Sequence, residues 1–321
     1  MKLNLLENVR SACKAVAEKA NFVRIKHDSL PAYAASLPLE QISAPELDPE
    51  KHYLGQGHDT VAFFLTLDTI NFGSGYFPHM RKRPGMSGYF TVAASLNDYY
   101  KSHGPIDPQK LTQLTARECT EIFNQNPHNE PIQELMQHFA KALNDLGRYL
   151  IDCFHGSFIE LVEAAGSSIE RLVQILIEMP YFQDAASYKN MEVPFYKRAQ
   201  LTATDLSTAF SGKGPGYFND LDCMTIFADN LVPHVLRIDN TLIYNADLAS
   251  RIDKEKLIPQ GSPEEIEIRA CAVHAVELLK SELLKSEYSV TSMGLDYLLW
   301  NRGQQPYYKS FPRHRTRSVF Y

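Results

Sequence analysis

Gly212-Lys213-Gly214-Pro215-Gly216-Tyr217-Phe218-Asn219-Asp220-Leu221-Asp222 runs almost directly into Thr225-Ile226-Phe227-Ala228-Asp229-Asn230-Leu231-Val232-Pro233. Three glycines and a proline cannot continue a helix, so the chain turns here. The turn separates two helical patterns: an amphipathic one over Tyr196–Phe210 and an apolar one over Thr225–Leu236, which Pro233 breaks or kinks. Leaving the turn, the chain presents an aromatic ring and then carboxylates at Asp220, Asp222 and Asp229. A flat ring beside a carboxylate suits a planar, hydrogen-bonding ligand such as a nucleobase, because the ring stacks and the carboxylate accepts N–H groups. Taken alone, the segment suits a plain helix–loop–helix connection with solvated acids better than it suits a pocket.

Working outward, helical spacing dominates. Leu5–Ala20 reads as an amphipathic helix, and residues 22–60 are irregular and dotted with proline. Val61–Leu67 is a continuous apolar run that suits strand or helix, and Tyr89–Tyr100 reads as a short hairpin or strand leading into a helix. Beyond residue 108, Pro108–Asn124, Pro131–Cys153 and Ser167–Glu178 have helical periodicity, with Ser167 and Glu170 spaced as a capping box. Ser262 and Pro263 mark the start of a helix that continues to about Ser286, and Ser292–Asn301 forms another. The expected fold is mainly α with a small β element near residues 60–95. No linker composition marks a boundary, so a single compact domain over 1–321 is expected, with an N-terminal subregion to about 105 and a helical subregion from about 106.

The composition is that of a water-soluble globular protein, 44% apolar and 22% charged over 321 residues. A net charge of −6 argues against general nucleic-acid binding, which needs a basic face. Cysteines at 13, 119, 153, 223 and 271 are odd in number and contain no CxxC pair, so neither a disulfide framework nor a zinc site is expected. Reduced thiols in a cytoplasmic protein fit that pattern. Leu5-Leu6-Glu7-Asn8-Val9-Arg10 lacks the apolar core of a signal peptide, and no 18-residue apolar window suggests a membrane span. No HExxH-type metal motif, P-loop or nucleophile elbow is present, so no metal or cofactor is expected.

Several side chains are candidates for chemistry. Asp229 is set among apolar neighbours, which makes a carboxylate costly unless it is paired or used; capping a helix would satisfy it equally. Lys197 and Arg198 lie in a helix and could reach a phosphate or carboxylate, or simply face solvent. On the last long helical stretch, Tyr297 and Asn301 share a face, and Asp296 and Trp300 share the adjoining one. That polar–aromatic patch suits a sugar or a base, although core packing by Trp300 would account for it too. Arg313, Arg315 and Arg317 alternate, so in extended chain they line one side and could clamp a phosphate. His52 and His58 flank Gly55-Gln56-Gly57 without metal-ligand spacing.

Seven segments, taken in order, resemble one family. They are Asp68-Thr69-Ile70-Asn71-Phe72, Phe195-Tyr196-Lys197-Arg198-Ala199-Gln200, Gly212-Lys213-Gly214 with Phe218-Asn219-Asp220, Phe227-Ala228-Asp229, Glu265-Ile266-Glu267-Ile268-Arg269-Ala270-Cys271, Leu295-Asp296-Tyr297-Leu298-Leu299-Trp300, and His314-Arg315-Thr316-Arg317-Ser318-Val319-Phe320-Tyr321. The chain resembles the queuosine salvage proteins, the queuosine 5′-phosphate N-glycosylase/hydrolases. The resemblance implies a mainly helical fold similar to the helix-hairpin-helix DNA glycosylases. It implies hydrolysis of queuosine 5′-monophosphate to queuine, for tRNA modification, and ribose 5-phosphate. It implies a small-molecule partner, and neither nucleic acid nor membrane. By that resemblance Phe218 is the stacking ring and Asp220 accepts from the guanine-like edge, while His52, Asp296 and Tyr297 contact base or sugar. Asp229 corresponds to the catalytic aspartate of the glycosylases, and Lys197 positions it or binds phosphate. The overall charge is acidic, so an anionic substrate needs a local basic cluster, expected from Lys197, Arg198, Arg313, Arg315 and Arg317. Asn301 stands where some members carry an aspartate proposed as nucleophile or stabiliser; an amide hydrogen-bonds but supplies no negative charge, so Asp229 or Asp296 is expected to supply the catalytic anion, Asp229 on the glycosylase resemblance. The readings from other classes are a non-catalytic queuine or nucleotide binding protein and a DNA glycosylase, the latter disfavoured by the acidic charge.

Overall fold

The computed structural model describes residues 5–43 and 46–321. The chain forms two compact units, each assembled from separated stretches. The first draws on residues up to 45, 184–197 and 220–317, and the second on 46–183, 198–219 and 318–321.

The helices, in chain order, are α1 (Leu5–Glu18), α2 (Leu30–Ser36), α3 (His58–Thr69), α4 (Gly88–His103), α5 (Pro108–Leu111), α6 (Ala116–Ile122), α7 (Glu130–Phe154), α8 (Phe158–Glu163), α9 (Ile169–Leu176), α10 (Lys197–Ala209), α11 (Val232–Ile238), α12 (Ala246–Asp253), α13 (Pro263–Lys285), α14 (Ser292–Gly303) and α15 (Pro306–Lys309). The strands are β1 (Val23–Ile25), β2 (Ala185–Tyr188), β3 (Met191–Pro194) and β4 (Leu242–Tyr244). The protein is mainly α.

In the first unit, α13 is the central element. It starts as the sequence indicates, with the Ser262 hydroxyl accepting the Glu265 N–H and Pro263 in the first turn. Every residue from Glu265 to Val273 is buried, so the helix has neighbours on all sides: α1, α2, α11, α14 and β1. Two antiparallel ribbons flank it. β1 pairs with β4 and β2 with β3. The β2–β3 turn places Lys189 and Asn190 at φ of 46° and 62°, the left-handed pair that a two-residue hairpin needs.

In the second unit, α7 presents Ile132, Leu135, Met136, Phe139, Leu143, Leu146 and Leu150 along one face, the spacing of an amphipathic helix. α5 crosses it closely at Gly147, where a Cβ would lie 2.7 Å from the Pro108 carbonyl oxygen. α3 packs on α4, α7 and α8. The Gly212–Gly216 turn folds back on α10: a Cβ on Gly216 would lie 2.4 Å from the Leu206 oxygen, so only glycine fits there. Gly212 and Gly214 hold positive φ of 69° and 51°.

Three expectations need correction. No β element lies near residues 60–95; α3 and α4 occupy that region, and the strands are elsewhere. Thr60–Thr69 is buried all round, and a fully buried helix has the same continuous apolar run as a buried strand. Ser167 is not the helix cap. It has φ of 63°, and Ser168 caps α9 by accepting the Arg171 N–H. Pro233 does not break a helix from Thr225. It sits in the first turn of α11, where the missing N–H has no cost.

Candidate functional site

The first unit brings together three of the side chains that the sequence singles out. Asp296 lies on α14 and is 2% exposed. Its Oδ1 accepts the Phe227 N–H at 2.8 Å. Asp229, two residues on, is half-buried, and its Oδ1 accepts the Leu231 N–H at 2.7 Å and the Val232 N–H at 3.3 Å. These two donors turn their positive ends toward the carboxylate at the start of α11. Lys197, the first residue of α10, is buried and within electrostatic reach of Asp296.

The electrostatics separate the two acids. Burial pushes the Asp296 carboxyl well above the usual carboxylate range, and the neighbouring Asp229 charge pushes the same way; the Phe227 N–H and the Lys197 ammonium oppose them. Asp296 is therefore biased toward its neutral form beside a half-exposed carboxylate. Two acids held in such different environments can divide proton-holding from charge stabilisation.

Two contacts fix the backbone beside Asp229. Asp296 holds Phe227 from one side. From the other, Arg269 of α13 donates its Nε to the Ala228 oxygen at 2.8 Å. The same guanidinium forks onto Asp184, Nη1 to Oδ1 at 2.9 Å and Nη2 to Oδ2 at 2.6 Å. It lies 3.9 Å above the Phe195 ring centre, with Glu265 3.5 Å away. Asp184 Oδ2 in turn accepts the Lys197 N–H at 3.1 Å, and the Asp184 carbonyl accepts the Phe195 and Tyr196 N–H groups. Tyr196 has φ of 50°, an unfavourable backbone for a bulky residue, costing about 1–3 kcal/mol.

The other candidates of this unit are placed as follows. Asp220 is half-buried and precedes the short 3₁₀ turn Leu221–Cys223. Tyr297 is buried on α14. Asn301 points its amide nitrogen at the Ser43 oxygen, 3.4 Å away. In the tail, His314 and Thr316 are buried while Arg313, Arg315 and Arg317 stay more open, as an extended segment requires. Arg313 is exposed and interacts electrostatically with Asp229. Arg315 instead pairs with Glu255, and its carbonyl accepts the Ile258 N–H.

The second unit holds His52, Arg198 and Phe218. His52 is 2% exposed and stacks on Phe64 with ring centres 6.0 Å apart. Its Nδ1 lies 3.1 Å from the Asp48 nitrogen and 3.2 Å from the Asp48 oxygen, and its Nε2 lies 3.2 Å from the Tyr89 hydroxyl. Burial pulls its pKa down to about 4, so it is neutral at neutral pH. Phe218 is buried, and the next residue is anchored by the Asn219 N–H donating to the Ser167 oxygen at 2.9 Å.

Arg198, expected as a phosphate contact, is 2% exposed. Its guanidinium is sandwiched between Phe72 and Phe182 and donates to the carbonyls of Asp68, Thr69, Tyr181 and Val319. Those donors are turned to the chain's own backbone.

Sequence reasoning missed Asp184, Arg269 and Glu267 as organisers. Glu267 Oε2 accepts the N–H groups of Asn21, Phe22 and Val23, and its Oε1 accepts the Tyr188 hydroxyl at 2.7 Å. A signal existed: Glu265, Glu267 and Arg269 interrupt an otherwise apolar helix face by face, so some of these charges had to be buried and partnered. Asp184 carried no such signal. Among the described residues no group of three or more His, Cys, Asp or Glu is placed to hold a metal ion, and no helix is long and apolar enough to cross a membrane.

A family model described as queuosine salvage protein matches residues 51–321. A protein of Sphaerobacter thermophilus is 35% identical over 319 residues, covering 98% of this chain and 97% of that one. One of Mus musculus is 29% identical, covering 97% of this chain and 98% of its own. One of Dictyostelium discoideum is 31% identical, covering 82% and 78%. Each of the three is named queuosine 5′-phosphate N-glycosylase/hydrolase.

Proposed function

We propose a reaction for this chain from one premise: it belongs to the queuosine salvage protein family. The chain hydrolyses the N-glycosidic bond of queuosine 5′-phosphate, releasing queuine and ribose 5-phosphate. The observation that carries the mechanism is the pairing of a buried Asp296, biased to its neutral form, with a half-exposed Asp229.

A 7-deazapurine has carbon in place of N7, so the leaving base cannot be activated by protonation there. The barrier must instead be lowered at the sugar, where positive charge develops as the C–N bond breaks. Asp229 supplies the anion that faces this charge, and its backbone donors hold it in place without reorganisation. Asp296 holds the Phe227 backbone and keeps a hydrogen-bonding carboxyl beside it. Lys197 positions the acids. Arg313, exposed and near Asp229, meets the phosphate. Water completes the hydrolysis at the anomeric carbon, and no metal or cofactor takes part.

Incubating the purified chain with queuosine 5′-phosphate in EDTA tests this. Queuine and ribose 5-phosphate in equal amounts are expected. A second reading, a non-catalytic queuine binder, draws on Asn301, whose amide brings no charge to α14. Tight queuine binding with no product would favour it.

A further inference from the structure

We propose that Arg269 and Asp184 are positioning residues for this reaction, forming one brace that sets both the Asp229 segment and the Lys197 end of α10. The proposal rests on the hydrolase reading above and goes beyond it, because neither residue is near-surface or poised to touch a substrate: their side chains are 2% and 4% exposed.

The geometry is a chain of directed bonds. Arg269 Nε holds the Ala228 oxygen, the peptide immediately before Asp229. Its two terminal nitrogens hold both Asp184 oxygens. Asp184 then holds the Lys197 N–H through Oδ2 and the Phe195 and Tyr196 N–H groups through its carbonyl. The fork leaves the guanidinium little freedom to rotate, and Phe195, from the same segment it braces, closes the face of the ion. An ordinary buried ion pair is a costly way to stabilise a fold, since apolar residues of equal volume commonly do as well. What apolar side chains cannot do is hold two backbone groups from distant segments, the Ala228 oxygen and the Lys197 N–H, at fixed directions. Tyr196 supports the same conclusion. Its left-handed backbone, directly before Lys197, persists only where the surroundings over-determine it, and the Asp184 contacts do so.

Arg269→Lys keeps the charge and loses the fork. In the folded variant, kcat for queuosine 5′-phosphate should fall about a hundredfold, the scale of an ångström misplacement of a reacting group. The KM and the dissociation constant for queuine should stay within about threefold. Phe195→Leu leaves every buried charge in place and loosens the guanidinium; kcat should fall several-fold with the same KM, which keeps the idea testable if the lysine variant does not fold. Activity that merely tracks the folded fraction in Arg269→Lys, or an unchanged kcat in Phe195→Leu, overturns the positioning role. Wild-type protein run alongside separates the two ideas: no turnover there defeats the hydrolase reading itself, whereas turnover with unaffected variants defeats only the brace.

Discussion

Asp296 Oδ1 accepts the N–H of Phe227 at 2.8 Å, so one buried acid fixes the backbone two residues before the other acid of the site. The consequence is a division of labour. The carboxyl that is fully buried holds the chain, and the half-buried carboxyl, Asp229, accepts two backbone donors. Burial first, and the Asp229 charge second, raise the Asp296 carboxyl above the usual carboxylate range.

Stability should fall in mild acid. Burial lowers the His52 pKa to about 4 and that of His314 to about 3, against an ordinary 6.5. Between those values the unfolded chain binds protons that the native protein does not, so stability rises with pH across this window and is lost as pH falls below about 6.5. For His52 alone the loss at pH 5 is about 2 kcal/mol relative to pH 8. Thermal melts from pH 8 to 5 should show a steady drop, shallower in His52→Gln. A flat profile contradicts the buried neutral histidines.

Glu267→Ala should destabilise the protein by ~3 kcal/mol, because it strips partners from three backbone N–H groups and the Tyr188 hydroxyl. Glu267→Gln, which keeps one carbonyl oxygen, should lose less. Urea midpoints measure both. Equal midpoints for wild type and the alanine variant contradict the anchoring role.

Arg313→Ala should weaken inhibition by ribose 5-phosphate about tenfold, the worth of a charge-assisted hydrogen bond, and leave inhibition by queuine unchanged. Arg315→Ala should do little, since that guanidinium already pairs with Glu255. Inhibition constants for the two products give the answer. Equal shifts for both products would place Arg313 away from the phosphate.

Long amphipathic helices were legible in the sequence because one buried face leaves a period: α1, α7 and the Ser262-capped start of α13 are where that pattern puts them. α3 was not, because burial on every side erases the period. The strands are three or four residues long, too short to show alternation. For the site, Asp229 and Asp296 stood out as carboxylates in apolar surroundings, and the structure brings both within electrostatic reach of each other and of Lys197. Arg198 read as a helix cation for a ligand or for solvent, yet it is buried and donates to backbone carbonyls. Residue type and spacing carry no record of whether a charged side chain meets solvent, a ligand or the chain itself. Asp184 was invisible for a related reason: its partner Arg269 is 85 residues away.

Single-turnover release of queuine from queuosine 5′-phosphate, compared across wild type, Asp229→Asn and Asp296→Asn, tests the central claim most directly. The amide keeps each side chain's shape and deletes only the charge. Asp229→Asn should slow the chemical step about a hundredfold or more, the cost of one preorganised electrostatic group, while queuine still binds. Asp296→Asn, which mimics an acid already biased to its neutral form, should slow it far less. Near-wild-type chemistry in Asp229→Asn, or a larger loss in Asp296→Asn than in Asp229→Asn, would contradict the assignment of the catalytic charge to Asp229.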